Sequence, residues 1–194
     1  MYKWIGALLL LLLLCSSGYA APAHVQTQNT SVATVATISV TLTLTAGNAV
    51  VTNLVTYFVP NDATQTAGDT VTTLMEMTSG GVFGRQAVAC NVAGGSTTFT
   101  FTFTLTGGAT LFVSEFSGIA TSACGDQSVV AASVTTATTH ATGTTPTTTQ
   151  ADEALVALVH RDGSGTLSGL SVDNSFTIPT NGDCIQRHRK LLSR

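Results

Sequence analysis

The sequence predicts an all-β fold, an antiparallel two-sheet sandwich of jelly-roll or Greek-key type with about eight or nine strands. Three observations carry that expectation. Thr supplies 36 of the 194 residues while charged residues make up only 9%, a β-branched bias with little of the Lys and Glu that helical domains favour. Residues 37–45 and 98–106 alternate apolar and hydroxyl side chains without a break, which is the period of a strand with one buried face. Beyond residue 23 no stretch repeats its apolar residues at helical spacing.

The amino end has a different character. Lys3, an apolar run from Trp4 to Leu14 and small residues from Ser16 to Ala23 are the three parts of a secretory signal peptide, assigned to residues 1–23. Gly18 and Ala20 suit a cut after Ala20, with a cut after Ala23 as the alternative. Leu12-Leu13-Leu14-Cys15 is only partly lipobox-like, because Leu14 stands where that motif wants Gly or Ala. The expected location is therefore secreted, extracellular or at the cell surface, where disulfides persist. No later stretch is long and apolar enough to span a bilayer.

Residues 24–183 are assigned to the sandwich domain. Ile38, Val40, Leu42 and Leu44 share the inner face of its first clear strand, and Ala46-Gly47-Asn48 turns the chain. Ala49 to Val59, apolar on both faces, suits an inner strand. A polar loop runs from Pro60-Asn61-Asp62 to Asp69. Val71–Met77 and Val82–Cys90 flank Thr78-Ser79-Gly80-Gly81, the signature of a hairpin. After a turn at 91–96, Phe99, Phe101, Phe103 and Leu105 point inward along a strand that Gly107-Gly108 is expected to close. Thr110 to Phe116 is the next strand, then come a loop carrying Cys124, a weak strand at 128–136, a Thr-rich low-complexity stretch at 135–150, a buried strand at 153–160 and a short one at 175–179. Residues 184–194, with Arg187, Arg189, Lys190 and Arg194, leave the pattern as a basic tail and read as a truncated or altered terminus.

Three short segments resemble a class of uncharacterised bacterial secreted β-sandwich modules. They are Ala46-Gly47-Asn48-Ala49-Val50-Val51, Asn91-Val92-Ala93-Gly94-Gly95-Ser96-Thr97-Thr98-Phe99-Thr100 and Val113-Ser114-Glu115-Phe116-Ser117-Gly118-Ile119. The resemblance implies an extracellular, jelly-roll-like module of the kind found beside adhesive or carbohydrate-active domains, and it brings no catalytic residues with it.

Chemistry is sparse. From residue 21 to 183 two basic residues, Arg85 and Arg161, face ten acidic ones, a net charge of −8, which argues against a phosphate-binding surface and a nucleic-acid partner. His24, His140, His160 and His188 show no metal-ligand or catalytic spacing, so no cofactor, metal or catalytic residue is assigned and the chain is read as a non-enzyme. Glu115 falls on the face of Leu111 and Val113 while Phe112 and Phe116 point the other way, so it is expected beside apolar neighbours in either register. Such a carboxylate is either structural, accepting backbone N–H groups from a loop such as 91–95, or a ligand acceptor for a sugar hydroxyl. Among Cys90, Cys124 and Cys184 the preferred bridge is Cys90–Cys124, with Cys124–Cys184 as the rival. Asn29-Thr30-Ser31 fits an N-glycosylation acceptor. The expected role is surface recognition or assembly with an unknown partner, a cell-surface protein or a glycan. A carbohydrate-binding module is the alternative, and an exported hydrolase comes third.

Overall fold

The computed structural model describes residues 20–57, 60–65, 69–79, 81–130, 152–158 and 184–190, with Thr144, Pro146, Thr147 and Thr149 besides. Residues 1–19 of the signal-peptide assignment, all but the first three residues of the strand expected at 128–136, the strand expected at 175–179, most of the Thr-rich stretch, His140 and His160 lie outside them, and residues 128–130 are not in a strand.

The two alternating stretches form the middle of the molecule. Strand β1 runs Ala23–Leu44 and pairs antiparallel with β6, Gly95–Ser117, along nearly their whole length. Ile38, Val40, Leu42, Leu44, Phe99, Phe101 and Phe103 are all buried, while Thr37, Ser39, Thr41, Thr43 and Thr102 are exposed. The Leu105 side chain is outside the described set. On the outer face Ser39 and Thr100 hydroxyls meet at 2.9 Å and those of Thr41 and Thr98 at 2.7 Å, cross-strand pairs that tie the strands without burying polar groups.

Gly107-Gly108 does not close the strand. β6 passes through it as one continuous element, and the expected division into two strands is corrected accordingly. Here β1 and β6 slip in register, from Val32↔Ala109 to Val35↔Gly107 and then Thr37↔Thr102. Irregularities of this kind bend a sheet, and glycines in a strand mark where it can bend and where neighbours approach. A Cβ on Gly108 would lie 3.4 Å from both the Ala33 carbonyl and the Tyr57 ring, so the bend is packed by those neighbours.

Beyond the bend β6 has different neighbours. Its second half pairs with β2, Ala49–Thr56, which continues to β5, Val82–Ala89, and to β4, Val71–Ser79, so the sheet order is β1-β6-β2-β5-β4. β2 is an inner strand, as its two apolar faces require. The first half of β6 pairs instead with β3, Pro60–Gln65, in a segment read as a loop from sequence. Its Pro and Asp are unfavourable within a ladder but suited to an edge strand.

Among the described residues the main sheet is six-stranded, all-antiparallel and strongly curled, a half-barrel, where two facing sheets were expected. Leu42 and Phe101 from one half pack in the same cluster as Val50, Leu54, Leu111 and Val113 from the other. Among the described residues, both halves of the curled sheet thus line one core.

The convex side has a second, smaller cluster. Val51, Val88 and Phe116 pack there with Leu74, Ile119, Cys124, Ala154 and Val156. The last two belong to β7, Asp152–Leu158, which pairs antiparallel with β8, Cys184–Lys190. The segment read as a departing basic tail therefore begins as a strand. Its register sets Asp152 opposite Lys190 and Glu153 opposite Arg189, an arrangement favoured by opposite charges across a ladder.

Two predictions follow from the packing. Phe101, with none of its surface exposed, should lose about 3–5 kcal/mol of stability as Phe101→Ala, and Thr102→Ala on the solvent face under about 1 kcal/mol. Paired urea melts measure both, and a costlier Thr102 variant would invert the assignment of faces.

Candidate functional site

Three separate loops and strand ends converge at one end of the half-barrel, and Glu115 lies between them. It occupies the concave face of β6 with Leu111 and Val113 and has no exposed surface. Gln26 is its register partner on β1 and donates from Nε2 to Glu115 Oε2 at 2.6 Å. The Thr45 backbone N–H and Asn48 Nδ2 each donate to Oε1 at 2.7 Å. The carboxylate is thus buried, as its flanking residues suggested, but its partners come from the β1–β2 turn and the start of β1. The loop at 91–95, expected to supply them, holds that same turn by its backbone: Val92 N–H donates to the Asn48 carbonyl at 2.9 Å and Gly47 N–H to the Val92 carbonyl at 3.0 Å.

Local geometry requires the residues present in these loops. Gly47, Gly94 and Gly95 have φ of 86°, 82° and 81°, and Asn91 has φ of 52°, a region open to Gly and tolerated by Asn. A Cβ on Gly94 would also lie 2.8 Å from the Ala46 backbone nitrogen, so any side chain there would force the two loops apart. Asp69 Oδ1 accepts from Ala93 N–H at 3.1 Å and holds the loop from its other side.

Burial is the largest single influence on the Glu115 carboxyl and raises its pKa. Hydrogen bonds from Gln26, the Thr45 backbone, Asn48 and the Thr45 hydroxyl together outweigh it, leaving the group below its ordinary value of 4.5. It is therefore held ionised, its charge spread over fixed dipoles.

The other candidates are placed as follows. Cys90 and Cys124 form a disulfide with Cα atoms 5.8 Å apart, closing a separation of 34 residues, so the Cys124–Cys184 alternative does not occur. The bridge ties the segment after β6 to the end of β5. His24 Nε2 lies 2.7 Å from Thr27 Oγ1, and the ring meets Phe116 edge-on at 5.6 Å. Partial burial holds its pKa below 6.5, against a hydrogen bond with the Gln26 backbone that raises it. The His188 side chain is outside the described set. Asn29 lies within β1 opposite Phe112, half-buried, so the glycosylation tripeptide is in a strand. Among the described residues no three His, Cys, Asp or Glu side chains cluster as metal ligands, and no helix is long and apolar enough to cross a membrane.

A second buried polar group escaped the sequence reading. Gln86 Nε2 donates to Asn53 Oδ1 at 2.8 Å and to the Val156 carbonyl at 3.3 Å, linking the convex face of the sheet to β7. Its signal was two amides facing each other in strands β2 and β5, visible only once their register was known. On β5, the partly buried Arg85 has Nε and Nη2 both 2.6 Å from Oε1 of the exposed Glu76, directly across the ladder on β4. Comparison with protein-family models, curated proteins and solved structures found no match for this chain.

The Glu115 geometry sets the sign of an acid effect. A carboxyl that binds its proton more weakly when folded stabilises the native state fully above its unfolded value near 4.5, and that contribution is lost as pH falls through the lower folded value. Glu115→Gln turns an amide against donors that now meet a carboxylate and should cost about 3 kcal/mol near neutral pH. The gap to the unaltered protein should narrow in urea melts as pH falls to about 3. A gap independent of pH would show that the charge contributes nothing.

Opening the disulfide by a Cys90→Ser, Cys124→Ser double variant should cost about 3–4 kcal/mol. Non-reducing peptide mapping should recover the linked Cys90 and Cys124 peptides from the unaltered protein.

Proposed function

We propose that the chain is a secreted, non-catalytic β module acting outside the cell in surface recognition or assembly. The observation that carries this reading is the outer face of β1 and the first half of β6, where rows of Ser and Thr from 37 to 43 and from 96 to 102 stand side by side without a charged residue among them. Their hydroxyls are already ordered by one another at 2.7–2.9 Å. Such a face gains from neutral, polar contact and little from ionic attraction. The Cys90–Cys124 bridge is consistent with export. We read the half-barrel as the framework of a jelly-roll-like sandwich of about eight or nine strands, of the kind seen in the secreted bacterial modules that its loop sequences resemble.

Carbohydrate binding is the second reading, favoured by Tyr57. This ring is 54% exposed and braced by Gly108 at the bend. An exposed aromatic ring of this kind suits stacking against a sugar ring. An exported hydrolase stands third, because a hydrolase needs a convergent acid and base and the Glu115 carboxylate is committed to donors of its own chain.

The test presents the exported chain to a panel of neutral oligosaccharides and insoluble polysaccharides, and in parallel to itself at rising concentration. Recognition or assembly requires saturable association in one arm without release of reducing ends. Tyr57→Ala should weaken glycan binding about tenfold if the ring stacks. Turnover of any glycan, or no association in either arm, would remove the reading.

A further inference from the structure

Beyond the register slips that end at Thr37, the edge of β1 carries none of the usual guards against strand pairing. Edge strands are commonly protected by charge, proline or bulges. β3 carries Pro60 and Asp62, and β4 carries Glu76, paired with Arg85. β1 has no Lys, Arg, Asp, Glu or Pro from Ala23 to Leu44, and its register with β6 is regular from Thr37 to Leu44.

The hydrogen bonds around Glu115 show which way this edge faces. The Thr45 N–H goes to Glu115 and the Thr43 carbonyl accepts from Gln26 Nε2 at 2.6 Å. Odd-numbered residues here turn backbone groups away from β6, and by strand alternation Ser39 and Thr41 do the same. The side chains agree. Ser39 with Thr100 and Thr41 with Thr98 touch through their hydroxyls, as expected where facing residues do not exchange backbone bonds and side chains come closer. Gln26 therefore caps the edge at Thr43, while the N–H and C=O groups of Ser39 and Thr41 face outward beneath exposed side chains.

We propose that Thr37–Thr43 is a self-association edge, where a second copy of this chain adds antiparallel about a two-fold axis. The inference rests on the assembly reading above and names its partner. Centring the axis on Val40 sets Ser39 of one copy against Thr41 of the other, so that each pair exchanges two backbone hydrogen bonds and four form in all. Both residues project to the outer face, which continues the hydroxyl rows across the junction. A second copy suits this edge because the stretch matches itself about the two-fold axis and carries no charged residue; the net −8 of the span from 21 to 183 opposes close approach of two copies elsewhere on the surface and confines their contact to this neutral strand.

Sedimentation equilibrium of the exported chain tests the proposal. The unaltered protein should shift reversibly from one chain to two as concentration rises through the micromolar range. Thr41→Pro removes an outward N–H without removing a bond to β6, and Ser39→Lys sets two like charges at the junction. Each should raise the dimer dissociation constant at least tenfold, while the urea midpoint of Ser39→Lys, taken at concentrations where both proteins are single chains, changes only by the small amount expected of a surface substitution. A protein that stays monomeric throughout, or variants that dimerise as well as the unaltered chain, would overturn the edge pairing. If such a monomer still bound a glycan in the panel above, recognition would stand and the self-association edge would fall.

Discussion

The half-barrel depends on one buried carboxylate. Gln26 and Thr43 lie 17 residues apart on the same strand, a span of about 55 Å if that strand were straight. They are in hydrogen-bond contact because β1 curls back on itself, and Glu115 is bonded to the same Gln26 side chain and to the backbone just past Thr43. The carboxylate acts where another strand would otherwise pair: it accepts the N–H that the end of β1 turns away from β6. An ionised group is tolerated in such a place because fixed donors replace the lost water, and removing any one of them would leave charge or dipole uncompensated.

Around that point the structure is built in layers of dependence. Asn48 donates to Glu115 with its side chain and accepts from Val92 with its carbonyl, and Gly47 donates back to the Val92 carbonyl, so the β1–β2 turn, the β5–β6 loop and the carboxylate are tied to one another. Val92 is itself buried in the concave core. On the convex side the disulfide and the β7 packing cover Phe116, the immediate neighbour of Glu115. The two faces of β6 are thus sealed by different means, hydrogen bonding inside and a cross-linked outer segment outside.

These constraints bear on function by elimination and by what remains free. Charged groups of the described domain are engaged structurally at Glu115, at Glu76 with Arg85, and at Asp126 with the Thr149 N–H. The outer hydroxyl rows and the β1 edge face solvent in an ordered arrangement. Ordered neutral surface on a sheet costs little entropy to use in binding, which suits it to the proposed activity.

Much of the local architecture was legible in the sequence, because strand alternation has a period of two and is read residue by residue. That period placed Ile38 to Leu44 and Phe99 to Phe103 inward, and the apolar faces of Ala49 to Thr56 in the middle of the sheet. The expectation of export and the placement at a strand end and in a loop favoured the bridge that forms between Cys90 and Cys124. The alternation around Glu115 set it beside apolar neighbours but did not show by what it would be held. Its donors come from positions 67 to 89 residues away, and periodicity carries no information over such distances. The same limit hid β3, whose polar residues suit an edge as well as a loop, and the passage of β6 through Gly107-Gly108, where a glycine pair serves a bend as readily as an end. Sequence alone determined which faces are apolar and which residues can turn. Tertiary structure alone decided that one sheet curls upon itself, because that outcome rests on register slips and on a buried charge finding all of its partners at once.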